Sequence, residues 1–110
     1  MSLGQSFALK LGRQAAVPGE KLQIRFASVP QDSRCPKGEQ CITAGKARVA
    51  LEVSVGDAAP AAVDLETSEG SEEMDVGGFR VTLVGLEPYP VSGRQIRPQE
   101  YVATLILHRR

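Results

Sequence analysis

The chain has 110 residues, the size of one domain with one core, and its Lys and Arg (13) equal its Asp and Glu (13). That balance removes the long-range positive field that non-specific binding to nucleic acid or to an anionic membrane would need, so no nucleic-acid partner is expected. No apolar run approaches the ~20 residues of a membrane-spanning helix, and with no Trp and only five Phe and Tyr the interior must be filled by Val, Leu and Ala.

Met1-Ser2-Leu3 has neither the basic nor the apolar region of a signal peptide. It reads as a leader standing where an export signal was removed, with residues 1–5 outside the folded part of a single 1–110 domain. From residue 6 onward, alternation with period 2 dominates, as in strands that bury one face. Residues 6–11 turn Phe7, Leu9 and Leu11 inward, and after the turn at Val17-Pro18-Gly19 residues 21–26 do the same with Leu22, Ile24 and Phe26. Residues 46–55 repeat the pattern through Ala47, Val49, Leu51, Val53 and Val55. Beyond the turn at 56–60, Val63 and Leu65 mark a shorter strand, Met74 and Val76 a fragment, and Phe79, Val81 and Leu83 another strand behind Gly77-Gly78. The last run, 101–108, is apolar on both faces and therefore expected at the centre of a sheet. No segment carries a helical period. The predicted fold is an all-β antiparallel sandwich, immunoglobulin-like, of six to seven strands, with a small β-barrel as the alternative.

Both cysteines fall in Asp32-Ser33-Arg34-Cys35-Pro36-Lys37-Gly38-Glu39-Gln40-Cys41, between two strand-like runs. Pro36 and Gly38 help the chain reverse, so a Cys35 to Cys41 disulfide is expected, contributing about 2 to 2.5 kcal/mol by loop entropy. Such a bridge places the protein outside the reducing cytosol: periplasm, outer surface or secreted. Two Cys and a distant His108 do not make a four-ligand zinc site, and the spacing is not that of a Cys-x-x-Cys redox pair. A Cys–His hydrolase would need as base an imidazole that sits close to the chain end. No metal, cofactor or catalytic set is therefore expected.

Asp32-Ser33-Arg34-Cys35-Pro36, Cys41 and Ala44-Gly45 stand together ahead of a Val-rich strand, and Leu86-Glu87-Pro88-Tyr89-Pro90 and Tyr101 follow later. Together these resemble a group of small exported bacterial proteins and lipoproteins of unassigned activity that carry an Asp-Ser-Arg-Cys-Pro, Cys, Ala-Gly signature. The resemblance runs over most of the chain, although Thr43 stands where that group often has an aromatic residue. It implies an extracytoplasmic β-sandwich, with a membrane tether through an N-terminal lipid in the native form, and it brings no catalytic residues.

Three functions fit these residues. The first is a non-enzymatic binding or structural module of the bacterial cell envelope, meeting a protein or envelope component through loops or a sheet edge. Its candidate surface is Asp32, Arg34, Lys37, Glu39 and Tyr89. The second is a protease inhibitor in which the stapled loop presents Lys37 or Arg34 to a trypsin-like pocket. The third is a small hydrolase using Asp32 with Glu39 as paired carboxylates. Local readings compete with each. Asp32 and Arg34 are expected to pair in a turn, Glu66, Glu69, Glu72, Glu73 and Asp75 form a solvated acidic hairpin, and Arg94 and Arg97 lie apart from Arg109 and Arg110 across the length of the last strand. Pro88-Tyr89-Pro90 is extended by its prolines, with the bond before Pro90 a candidate for cis.

Overall fold

The computed structural model describes residues 3–17, 19, 21–68, 70 and 72–109; Met1 and Ser2 of the expected leader, Pro18, Glu69 and Arg110 lie outside them. The described residues form eight strands: β1 (Ser6–Lys10), β2 (Gln14–Val17), β3 (Leu22–Asp32), β4 (Ala47–Val55), β5 (Ala61–Glu66), β6 (Glu73–Val76), β7 (Phe79–Glu87) and β8 (Val102–Arg109). A 3-10 turn at Pro98–Glu100 precedes β8. Two four-stranded antiparallel sheets result, β1-β8-β7-β6 and β2-β3-β4-β5, which do not close into a barrel. The antiparallel sandwich is the predicted fold.

Two details correct the expectation. The strand count rises above six or seven because β2 and the fragment that becomes β6 both pair; β2 carries almost no sequence signal, since Ala15 and Ala16 give little alternation. The order is also simpler than the crossed A-B-E-D and C-F-G sheets of an immunoglobulin domain. β2 through β5 run as a meander, as do β6 through β8, and β1 closes the first sheet beside β8. Such an order is common because strands consecutive in the chain tend to pair.

Alternation decides what is buried. Leu22, Ile24 and Phe26 of β3 are buried while Gln23 and Arg25 between them are exposed, and Val49, Leu51 and Val53 of β4 face the same interior. Val81, Leu83, Leu105 and Leu107 approach from the other sheet, and all these side chains belong to one apolar cluster. β8 lies between β1 and β7, the central position that its two apolar faces predicted. The chain changes sheets at Gly12, whose φ of +88° suits glycine. There Leu11 N–H donates to the Tyr101 carbonyl in one sheet and Gly12 N–H to the Phe26 carbonyl in the other.

β3 and β7 each carry register irregularities, beyond Phe26 in β3 and between Leu83 and Gly85 in β7. Bulges add local twist and re-aim the strand that follows. Both strands run from these bulges toward the same end of the sandwich, where the cysteine loop and the loop after β7 meet.

Candidate functional site

Residues 33–46 fold back on themselves as an irregular continuation of the β3–β4 hairpin. Ser33 N–H donates to the Lys46 carbonyl at 2.7 Å, its hydroxyl donates to the same oxygen at 2.9 Å, and Cys35 N–H donates to the Ala44 carbonyl at 2.9 Å. Gly45 makes this possible. Its φ is +68°, and a Cβ built there would overlap the Ser33 carbonyl oxygen. The Cys35–Cys41 disulfide closes the tip, with Cα atoms 6.0 Å apart.

Beneath the loop, Arg34 turns inward and is the only charged residue in the buried class among those described, at 8% exposure. Its Nε donates to Asp32 Oδ1 at 2.8 Å and its Nη2 to Asp32 Oδ2 at 2.9 Å, the two-pronged geometry of an arginine–carboxylate pair. Nη1 donates to the Leu86 carbonyl at 2.8 Å, and Nη2 also reaches the Pro88 carbonyl at 3.0 Å. Tyr101 completes the group by donating its hydroxyl to Asp32 Oδ2 at 2.8 Å. Asp32 belongs to one sheet, while Leu86 and Tyr101 belong to β7 and the entry to β8 in the other. One guanidinium therefore fastens the two sheets together and ties the cysteine loop to both.

Electrostatics follows this packing. Burial by itself would raise the Asp32 carboxyl, but hydrogen bonds from Arg34 and Tyr101 and the charge of Arg34 outweigh it, leaving the group below its ordinary value. Burial would lower Arg34, and the bond to Asp32 and its charge reverse that, so the guanidinium is held still more firmly protonated. Tyr101 is pushed up to about 12, first by burial and then by its bond to a carboxylate that already carries negative charge.

The loop after β7 docks against the cysteine loop through main chain. Lys37 N–H donates to the Pro90 carbonyl and Ser92 N–H donates to the Lys37 carbonyl, both at 2.9 Å. The two loops thereby form one parallel bridge, Lys37 to Val91. The Tyr89 ring lies 5.3 Å from the Arg34 guanidinium and 5.7 Å from the Lys37 ammonium, while remaining 41% exposed. Farther along, Glu100 accepts from Arg97 N–H at 3.0 Å and from Arg94 at 3.1 Å, which folds the remainder of the loop onto the 3-10 turn. The cis bond of this loop is Glu87–Pro88, one proline earlier than expected.

The candidate surface thus divides. Lys37, Glu39 and Tyr89 remain exposed, whereas Asp32 and Arg34 are withdrawn from it, because a carboxylate and a guanidinium that satisfy one another and three further groups have no reason to face solvent. Two residues not singled out from sequence join the exposed part: Ile42, fully exposed beside Cys41, and Val91, 42% exposed beside Tyr89. An apolar side chain such as Ile42 in a polar loop, with no alternating neighbour to share its burial, was the available signal. Tyr101 was read as a strand residue, and nothing in its neighbourhood announced the bond to Asp32, 69 positions away.

The same geometry bears on the other two readings. Arg34 is buried, and Lys37 has its N–H and carbonyl both bonded within the chain, so neither basic residue offers the free main chain that an inhibitor lays along a protease. Both oxygens of Asp32 are engaged by Arg34, and one by Tyr101 as well. In the acidic stretch, Asp75 and Glu73 pair with Arg80 at 2.9 and 3.7 Å, while Glu66 pairs with Lys46 and Arg48. Among the described residues no three His, Cys, Asp or Glu side chains gather as a metal would require. Arg109 packs over Phe79 at the far end of β8 from Arg94 and Arg97. No family model matches the chain, and neither a characterised protein nor a solved structure matches it.

Proposed function

We propose that the protein is a non-enzymatic binding module of the bacterial cell envelope that holds a protein partner at its stapled end. One observation carries this reading. Of the five large apolar side chains exposed among the described residues, Ile42, Tyr89 and Val91 all belong to the two loops joined at Lys37 and Val91. Exposed apolar groups on loops stiffened by a disulfide and by the Arg34 clamp lose little freedom on binding, which is what a recognition surface needs. Lys37 and Glu39 supply charges of both signs beside them, suited to orienting a partner rather than to attracting one of a single sign.

The disulfide supports an extracytoplasmic setting, and no helix among the described residues is long and apolar enough to cross a membrane. Tethering through an N-terminal lipid belongs to the same proposal. Site-specific photocrosslinking in the native organism tests it, with the crosslinker at position 42 or 91 and, as control, at position 23 on the outer face of β3. A single discrete adduct from 42 and 91, absent from 23 and lost when Cys35 and Cys41 are replaced by Ser, is the expected result. Absence of an adduct from both loop positions would overturn the reading, and stoichiometric trypsin inhibition abolished by reductant would replace it with the inhibitor.

A further inference from the structure

The outer face of the β1-β8-β7-β6 sheet divides in a way the proposed partner site does not use: Glu73, Asp75 and Arg80 pair along its β6 edge, while the part over β1, β8 and the middle of β7 is largely uncharged. On the β2-β3-β4-β5 sheet, charges pair sideways along the surface: Arg25 with Glu52 at 2.8 Å, and Arg48 with Glu66 at 3.4 Å. On the β1-β8-β7-β6 sheet, directly paired residues share a face, so the register gives the outer rows of its three longest strands. They read Ser6, Ile106, Thr82; then Ala8, Thr104, Gly85; then Lys10, Val102, Glu87. The first two rows carry no charge across these three strands; β6 adds Glu73 beside Thr82, and the row beyond holds Arg80 and His108. Val84, the extra residue of the β7 bulge, adds another exposed apolar group at 56% exposure.

We propose that this face is a self-association surface on which a second copy of the chain packs sheet to sheet. The third row argues for a second copy. Lys10 and Glu87 flank Val102 on opposite sides, held two strand spacings apart, roughly 9 to 10 Å. Among the described residues neither has an ion-pair partner within the chain. A two-fold axis lying in the interface parallel to β8 sets β1 of one copy over β7 of the other. Lys10 then meets the partner's Glu87, and the reciprocal pair forms by symmetry. The same rotation stacks Val102, Thr104 and Ile106 on their own counterparts, β-branched side chains short enough for ordinary sheet-on-sheet packing at ~10 Å. With the axis along β8 only β1, β8 and β7 overlap, and with a β8 of eight residues they share a face of roughly 14 by 26 Å, about 370 Å2 in plan. That falls well short of the ~800 Å2 per partner of a standard interface, so the association is weak and shows only at high protein concentration.

Sedimentation equilibrium of the full chain from about 5 µM to about 1 mM reads the constant directly. Lys10→Glu and Glu87→Lys should each weaken association by about tenfold or more, since each sets like charges against one another twice. The double exchange should return it to within about threefold of the unmodified chain. Both positions are exposed, so these variants keep their fold, and thermal melting of each checks that. Thr104→Glu, at the centre, should leave a monomer. A chain that stays monomeric up to about 1 mM would overturn the proposal, as would a dimer indifferent to the single reversals. So would one abolished instead by Ile42→Asp, which would put the interface at the stapled end.

Discussion

Arg34 and Arg80 each pair with a nearby aspartate, and they do different things. Arg34 and Asp32 have side chains 6% and 14% exposed and draw in Leu86, Pro88 and Tyr101, whereas Arg80 and Asp75 are 49% and 36% exposed and join adjacent positions of one hairpin. The separations are nearly equal, 2.8 and 2.9 Å. Distance is therefore a poor guide to what an ion pair contributes; what matters is whether the unpaired charge would be left in the interior or handed back to water. The stapled end is built on the first kind of pair and the acidic hairpin on the second.

The stapled end is most vulnerable at the base of its loop. Gly45→Ala adds a methyl group where the Ser33 carbonyl stands and asks an alanine to hold a φ of +68°, so the β3–β4 hairpin must open. A loss above ~4 kcal/mol, or no soluble folded protein, is expected by urea denaturation. Arg34→Leu leaves the Asp32 carboxylate and two main-chain carbonyls without their donor and should cost about 3 kcal/mol. Replacing both cysteines with Ser should cost about 2 kcal/mol and leave the sandwich folded, because the clamp still holds the base of the loop.

Tyr101→Phe removes one hydrogen bond, with an expected loss of about 1 kcal/mol near neutral pH, and it sharpens the comparison through pH. The folded-state value of Asp32 lies below its unfolded value, so the stability it gives is complete above about pH 4 and is lost as pH falls beneath that. Tyr101 behaves oppositely. Its hydroxyl is raised from 10.0 to about 12, so its contribution is complete below pH 10 and is lost as pH climbs between those values. Thermal melting across pH should show both limbs in the unmodified chain and no alkaline limb from this group in Tyr101→Phe. Arg80→Ala, the matched change at the hairpin, should leave the melting midpoint within experimental scatter at neutral pH. A large effect there would erase the distinction between the two pairs.

The two ends were not equally legible. The expectation of a solvated hairpin at residues 66–75 needed only a run of carboxylates among Gly and Ser; Glu73 and Asp75 lie at the surface paired with Arg80 and Glu66 pairs with Lys46 and Arg48, whereas Glu72 Oε2 is buried. At the other end, Asp32 and Arg34 were visible as neighbours, but their burial depended on the Leu86 and Pro88 carbonyls, more than fifty positions away. The alanines of β2 carry little periodic signal, and Ile42 is marked only by being a lone apolar residue in a polar loop.

The sequence by itself determined the antiparallel strands, the central place of β8, and the closure of the loop from Cys35 to Cys41, since alternation and short spacing act locally and need no knowledge of what packs against them. It was left to the tertiary structure to make Arg34 a fastening between sheets and not a surface charge, to bring Ile42, Tyr89 and Val91 to one end, and to set Lys10 and Glu87 on either side of Val102. Each of these turns on which distant strands become neighbours, and that is settled by the packing of the whole core.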